Sequence, residues 1–235
     1  MTSTSIRRVL VAVLLVGGFC ILILTGFGFR GPGDGASDAW INAARETGAL
    51  NVVSAIYLNT RLFDTVLEVL VFAVAVLGVH FYLTARGRAE PVESIPESSV
   101  VRIAADLLLP LILLISIYIV LHGHLSPGGG FSGGVIAGTG LLLTAIALGT
   151  KTVAARFGPR LLERLEWGAL LGILFLAALP ALLARPPLSD LLPPGTPGRI
   201  ASGGSILLYN GLIGVKVFIG SWVIVRHFVD HRGEI

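Results

Sequence analysis

Long apolar runs separated by short polar stretches dominate the pattern of this chain. A helix needs about 20 residues to cross a hydrocarbon layer about 30 Å thick, and six runs reach or approach that length. They are residues 9–29, 64–83, 103–121, 133–150, 167–184 and 205–225. The pattern therefore predicts an all-α integral membrane protein with about six transmembrane helices.

The composition agrees with a membrane location, because 54% of the 235 residues are hydrophobic and only 13% are charged. An average soluble domain has about 25% charged residues. Only two of the 17 basic residues are lysines, and no basic cluster alternates with aromatic residues, so the sequence predicts no nucleic-acid partner. The lipid bilayer is the expected surrounding, and a soluble enzyme is excluded.

Basic residues set the predicted orientation, since lysine and arginine are retained on the cytoplasmic side. With the N-terminus inside, eleven basic residues lie in cytoplasmic segments and five in external loops. Both termini are therefore predicted to be cytoplasmic, with the plasma membrane as the location. A polar stretch containing proline, residues 89–99, predicts a linker between a two-helix module (1–88) and a four-helix module (100–235).

Charged residues inside the predicted helices are the most informative, because each costs about 2.5 to 3.5 kcal/mol at a helix centre on insertion scales. Lys216 lies near the middle of the sixth helix. One interpretation is a relay group for protons or cations. The other is a structural ion pair with a carboxylate on another helix or on a neighbouring chain.

Asp64 and Glu68 are four residues apart and share a helix face. Thr65 and Glu68 fit a capping box, which would place both acids at the membrane interface. The run that follows, residues 69–83, is only about 22 Å long as a helix, so we expect the helix to begin earlier. Glu68 would then lie inside the hydrocarbon as a proton-exchanging carboxylate. The residues alone favour neither interpretation.

The remaining ionisable residues near the helices favour structural roles. Asp106 suits the positive end of the dipole of the third helix, and His80 is typical of a hydrogen-bonded packing residue. His122 and His124 lie at the far end of the third helix, where imidazolium suits the negative end of the dipole. A metal site would need further ligands that one cysteine and scattered acids do not supply, so we expect no metal and no cofactor.

The densest group of glycines lies in the turn before the fourth helix. It comprises Pro127, Gly128, Gly129, Gly130, Phe131, Ser132, Gly133 and Gly134. The glycine spacing matches a dinucleotide fingerprint, but no strand precedes it and the next acid is Glu163, so that interpretation is rejected. We expect a hairpin with close backbone approach. Gly130, Gly134 and Gly138 then repeat every four residues, a spacing that packs membrane helices tightly.

A family resemblance rests on two segments of the second module. They are residues 121–134, with the sequence LHGHLSPGGGFSGG, and the group Asn210, Gly211, Lys216 and Val217. Together they closely resemble the B-type subunits of Mrp (Mnh) multisubunit cation/proton antiporters, over about residues 100–230. The first module, through Thr47, Gly48, Asn51 and residues 61–68, is similar to the C-terminal segment of the A-type subunits of the same antiporters. In related membrane-bound hydrogenases that segment is a separate small protein.

The resemblance implies a transporter component, not an enzyme, in an assembly that exchanges Na⁺ for H⁺ with other Mrp-type subunits as partners. It makes Asp64 and Glu68 candidate cation or proton sites and Lys216 a charge partner. Secondary polar candidates are His122, His124, Asn210 and Asp106. The alternative is the ion-translocating arm of a membrane-bound hydrogenase or related redox pump. A third hypothesis is a purely structural scaffold.

Overall fold

The computed structural model describes residues 34–85, 98–186 and 188–230, and within them the chain is helical and contains no strand. The predicted first transmembrane helix (9–29) and most of the predicted linker (89–99) lie outside the described residues. By its contacts the chain divides into two units, residues 1–41 and residues 42–235. Of the first unit the structure describes residues 34–41, which belong to the first helix named below.

The described residues form α-helices joined by loops, with one π-helical turn. The elements are α1 (Asp34–Glu46), α2 (Val52–Ala55), the π-helical turn Ile56–Thr60, α3 (Leu62–Ala85), α4 (Ser99–Leu121), α5 (Gly130–Leu148), α6 (Thr150–Phe157), α7 (Pro159–Leu182) and α8 (Ile206–Asp230). In this part of the chain, α3, α4, α5, α7 and α8 are long and apolar enough to cross a membrane. The predicted all-α membrane architecture is confirmed.

The largest difference from the predicted helix bounds is at α7, which begins at Pro159 rather than at Trp167. Gly158 precedes it with a φ of 60°, and proline is favoured at a first helical position because its missing N–H costs no hydrogen bond there. Glu163 and Glu166 are the fifth and eighth residues of α7, and such charged residues lowered the local hydropathy. The short amphipathic helix α6 was not predicted for the same reason, and α5 begins within the glycine-rich turn.

Helix α8 is the centre of the bundle and packs against α3, α5 and α7. One cluster of buried apolar side chains joins α8 to α3 and α7 and includes Val69, Ile173 and Ile213. A second cluster joins α8 to α4, α5 and α6 and includes Leu141 and Trp222. By contrast, α4 packs on α5 and leaves most of its large apolar side chains exposed, as expected of a helix that faces lipid or another protein chain.

Candidate functional site

Lys216 lies in the middle of α8 and is almost completely buried. Its ammonium group forms an ion pair with the carboxylate of Glu166 on α7, and the two side chains are only 4% and 14% exposed. The Nζ atom also lies 5.9 Å from the centroid of the Phe72 ring on α3, which is within the range of a cation–π interaction. A pair of opposite charges therefore lies where three helices of the bundle meet.

Glu166 is a functional candidate that the sequence prediction missed. Because the helix was expected to start at Trp167, Glu166 was left in the preceding loop, whereas it lies well inside α7. A helix-start signal was present, since glycine followed by proline at 158–159 is typical of a helix N-terminus. The sequence left the partner of Lys216 open, as a carboxylate on another helix or on a neighbouring chain, and the described partner is Glu166 on α7.

A cavity of about 300 Å³ opens beside the Lys216–Glu166 pair, between α3, α7 and α8. Both charged residues line it, and so do His80 on α3 and His227 on α8. The two imidazoles are hydrogen-bonded, with 2.8 Å between Nδ1 of His80 and Nε2 of His227. His80 looked isolated in the sequence because its partner lies 147 residues further along the chain. The cavity therefore connects the buried ion pair with a pair of histidines near the ends of their helices.

Asp64 and Glu68 lie at the start of α3, which begins at Leu62 as a longer helix requires. Asp64 forms a salt bridge with Arg61, with 2.6 Å between Nη2 and Oδ2, and about half of its side chain is exposed. Thr65 does not act as the cap of a capping box, because α3 begins before it and its hydroxyl donates to the Tyr57 carbonyl at 2.5 Å. Glu68 lies in the second turn and is exposed on the surface of this chain.

The glycine-rich turn joins α4 to α5 and holds the first residue of α5 against α8. Gly129 has a φ of 137°, a conformation that favours glycine. The N–H of Gly130 donates to Oδ1 of Asn210 at 2.9 Å, so a side chain of α8 satisfies one of the free amides at the start of α5. The Tyr57 hydroxyl donates to the same oxygen at 3.4 Å. Asn210 therefore ties the turn, α8 and the π-helical turn together.

The glycines of α5 bring its backbone into direct contact with two neighbouring helices. A Cβ on Gly134 would lie 2.7 Å from the carbonyl oxygen of Gly214 on α8. A Cβ on Gly133 would lie 2.4 Å from the Val120 side chain on α4. The other members of the row that faces α8 are Gly130 and Gly138. Larger residues at these positions would force the helices apart.

The other residues of the turn differ in their surroundings. Pro127 is exposed, Gly128 lies against Ile119, and Phe131 packs against the apolar cluster around α8. His122 follows α4, stacks on the Tyr118 ring and places Nδ1 3.1 Å from the Tyr118 carbonyl. Its ring therefore packs on α4.

Asn51, just before α2, holds the loop between α4 and α5. Its side-chain amide donates to the carbonyls of Gly123 at 2.8 Å and Ser126 at 2.9 Å. Its backbone N–H donates to the carbonyl of His124 at 3.0 Å, and its Oδ1 caps α2 by accepting from the Ser54 N–H. A single residue of the first predicted module thus makes three hydrogen bonds to one loop of the second.

His124 and Asp106 are placed by their contacts at opposite ends of α4. His124 is fully buried, with Nε2 3.3 Å from the Arg199 carbonyl. Burial lowers the pKa of His124, an effect that this hydrogen bond only partly offsets. Asp106 forms a half-exposed salt bridge with Arg156 of α6, at 2.7 Å.

Among the described residues no group of three or more histidine, cysteine or acidic side chains could hold a metal ion.

Comparisons with known proteins agree with this architecture. Residues 100–223 match the family model described as a domain related to the MnhB subunit of Na⁺/H⁺ antiporters. The probable A/B subunit of a K⁺/H⁺ antiporter from Rhizobium meliloti is 28% identical over 176 residues, which are 64% of this chain and 18% of that protein. The B subunit of a Na⁺/H⁺ antiporter from Bacillus subtilis is 36% identical over 75 residues, which are 32% of this chain and 52% of that protein. The chain therefore spans less than a fifth of the first relative and about half of the second.

Two solved structures contain similar chains. One belongs to the membrane-bound sulfane sulfur reductase, an archaeal respiratory membrane complex, with 32% identity, a TM-score of 0.73, and 95% of this chain and 98% of that chain covered. The other belongs to the Mrp complex of a Dietzia species, with 24% identity, a TM-score of 0.68, and 100% of this chain and 27% of that chain covered. The second likeness concerns the fold alone. Because the family match covers more than half of the chain, this multi-pass membrane protein belongs to the family of proteins with a domain related to the MnhB subunit of Na⁺/H⁺ antiporters.

Proposed function

We propose that the chain is a membrane component of an Mrp-type antiporter that exchanges Na⁺ for H⁺, and that the Lys216–Glu166 pair is its charged element in the ion path. The observation that carries the proposal is this buried pair at the centre of a chain of the MnhB family. Burying two charges is costly even when they are paired. Their position beside a cavity is consistent with a role in which the pair opens and closes as ions pass.

The electrostatics of the pair suit such a role. A cation or proton that reaches the Glu166 carboxylate competes with the ammonium group of Lys216 for the same oxygens. The ammonium group then either moves away or releases its own proton, which couples occupation of the carboxylate to the charge on α8. Both side chains border the cavity, so water and small ions reach the pair without unfolding of the bundle.

Asp64 and Glu68 belong to a second part of the proposed path, at the surface where another protein of the complex packs. Glu68 is exposed on a helix that is apolar enough to span a membrane, and lipid is an unfavourable environment for its charge. A neighbouring protein that covers this face would supply a partner for Glu68. The chain thus acts as one component of an ion path, with no enzymatic step of its own.

The partners in this proposal are the other proteins of the antiporter, assembled in the plasma membrane. We also propose that residues 1–88 correspond to the C-terminal segment of an A-type subunit fused to a B-type module. The similarity to an antiporter component named A/B supports this arrangement.

The test is to replace residues of the pair in the assembled complex and measure Na⁺/H⁺ exchange in everted membrane vesicles. Lys216→Ala and Glu166→Gln should abolish most of the exchange while the tagged chain still recovers its partner proteins. Lys151→Ala is the matched control, because Lys151, the other lysine of the chain, is exposed at the start of α6. Full exchange by an assembled Lys216→Ala complex would refute the proposal and support a structural scaffold.

A redox-driven complex is the second candidate, because the similar chain of the sulfane sulfur reductase complex is 32% identical over nearly its whole length. Purification of the tagged chain from its own host in mild detergent, followed by mass spectrometry of the recovered proteins, separates the two. Antiporter-like proteins without metal-cofactor proteins support the antiporter. Proteins that bind iron–sulfur clusters or nickel support a redox pump.

A further inference from the structure

The cavity between α3, α7 and α8 has ionisable side chains at both of its ends. At one end are Lys216 and Glu166, and at the other are His80 and His227. Lys216 and His227 are eleven residues apart on α8, which corresponds to about 16 Å along the helix. A volume of about 300 Å³ has room for on the order of ten water molecules at about 30 Å³ each. The polar groups at both ends supply the hydrogen-bond partners that buried water requires.

The two histidines form a pair that holds one proton more readily than two. In the hydrogen bond between them, one ring nitrogen donates and the other accepts. A proton that binds to another ring nitrogen leaves this hydrogen bond intact, and the pair then carries one positive charge. A second proton would place two imidazolium ions side by side and remove the acceptor. Histidine is the side chain most often used to take up and release protons in proteins.

The charged groups around the pair come from two helices. From α7, Glu163 and Glu166 line the same cavity. From α8, Lys216 and Arg226 line it. Apart from the two histidines, the other described lining residues are uncharged. The described lining therefore carries two groups of each sign.

We propose that this cavity is a water-filled access path for protons and that the His80–His227 pair is the proton-binding site at its end. The pair takes a proton from cytoplasmic water on one imidazole nitrogen and passes it through the cavity water to the Glu166 carboxylate. Only a proton is transferred, and no covalent bond to carbon is changed. This inference rests on the proposed function, because it names the source of the proton that reaches the Lys216–Glu166 pair.

The first experiment tests for water in the cavity and needs no transport activity. In a variant whose single cysteine, Cys20, is replaced by serine, Val76→Cys places a thiol in the cavity wall, although Val76 is only 3% exposed. Val69→Cys is the matched control on α3, because Val69 is fully buried and does not line the cavity. A water-soluble thiol reagent added to everted vesicles should label residue 76 and leave residue 69 unlabelled. Equal resistance of both thiols would overturn the proposal.

The second experiment tests the histidine pair in the assembled complex. Because glutamine keeps a hydrogen bond but carries no titrating proton, His80→Gln and His227→Gln should lower Na⁺/H⁺ exchange at least about tenfold. They should also flatten its pH dependence between about pH 6 and 8. His122→Gln is the control, because the His122 ring lies at the other end of the bundle, where it stacks on Tyr118.

The two proposals fail in different ways. Absence of exchange in the unmodified complex would contradict the antiporter function, while labelling at residue 76 would still report on the cavity. Normal exchange with an unchanged pH profile in both glutamine variants would contradict the proton site and leave the antiporter function in place.

Discussion

Removing one charge of the Lys216–Glu166 pair should destabilise the protein far more than removing both. Lys216→Met keeps a side chain of similar length but leaves the Glu166 carboxylate without its ammonium partner. Breaking a buried ion pair in this way costs about 3 to 5 kcal/mol. Since Glu166 borders the cavity and retains 14% exposure, water reaches it, and we take the lower end, about 3 kcal/mol.

The double variant Lys216→Met/Glu166→Gln removes the unpaired charge and should lie within about 1 kcal/mol of the original chain. A loss of about 3 kcal/mol corresponds to a fall in Tm of about 6 to 12 °C for a chain of this size. Thermal unfolding of the complex purified in detergent, followed by tryptophan fluorescence, measures the original chain, Lys216→Met, Glu166→Gln and the double variant under one condition. The double variant should therefore recover most of the Tm that Lys216→Met loses.

Asp106→Asn is the control for this series. It removes an ion pair with Arg156 whose two side chains are 46% and 41% exposed, and pairs of that kind contribute at most about 1 kcal/mol. If the losses of Lys216→Met and Glu166→Gln simply add in the double variant, the two charges are not coupled. If Asp106→Asn costs as much stability as Lys216→Met, burial does not set the cost of breaking an ion pair. Either result would refute the reasoning.

Three further predictions use the same unfolding assay. Gly134→Ala should cost at least about 2 kcal/mol of stability, since its Cβ would lie 2.7 Å from a backbone oxygen of α8. Gly168→Ala is the control: a Cβ there would have no atom of a neighbouring helix within 4 Å, so the change should be neutral or stabilising by up to about 1 kcal/mol. Equal effects of the two substitutions would contradict the close contact. Asp190→Ala should cost about 1 to 2 kcal/mol of stability. At the start of α8, Oδ1 of Asp190 accepts hydrogen bonds from the Ser205 N–H at 3.0 Å and from the Ser205 hydroxyl at 2.6 Å. An unchanged Tm would count against a capping role for Asp190. Burial lowers the pKa of His124, so its contribution to stability is complete above about pH 6.5 and is lost as the pH falls through the folded-state pKa. His124→Asn should remove this part of the pH dependence of Tm, and an identical acid profile would show that His124 does not titrate on unfolding.

Apolar runs predicted the membrane helices well because lipid leaves few other arrangements for a continuous stretch of such residues. The same criterion failed at the start of α7, where Glu163 and Glu166 line a cavity inside the bundle. It placed Glu166 in a loop and so hid the partner of Lys216. Pairs that join distant parts of the chain, such as His80 with His227, leave no local pattern at all. Their contact depends on how α3 and α8 pack, which hydropathy does not encode.

The glycine turn was easier to predict than the residues that hold it. A dense group of glycines by itself indicates backbone conformations that other residues rarely adopt, and Gly129 has a positive φ of 137°. The acceptor for the Gly130 N–H is Asn210, 80 residues later. Asn210 belonged to the family resemblance, but its role as an acceptor follows only from the packing of α5 on α8.

The three hydrogen bonds from Asn51 to the loop between α4 and α5 have a consequence for a chain that is cut between α3 and α4. They hold the two halves of residues 42–235 together without help from the peptide chain that links them. A chain cut within residues 86–97 should therefore reassemble from two separately translated polypeptides.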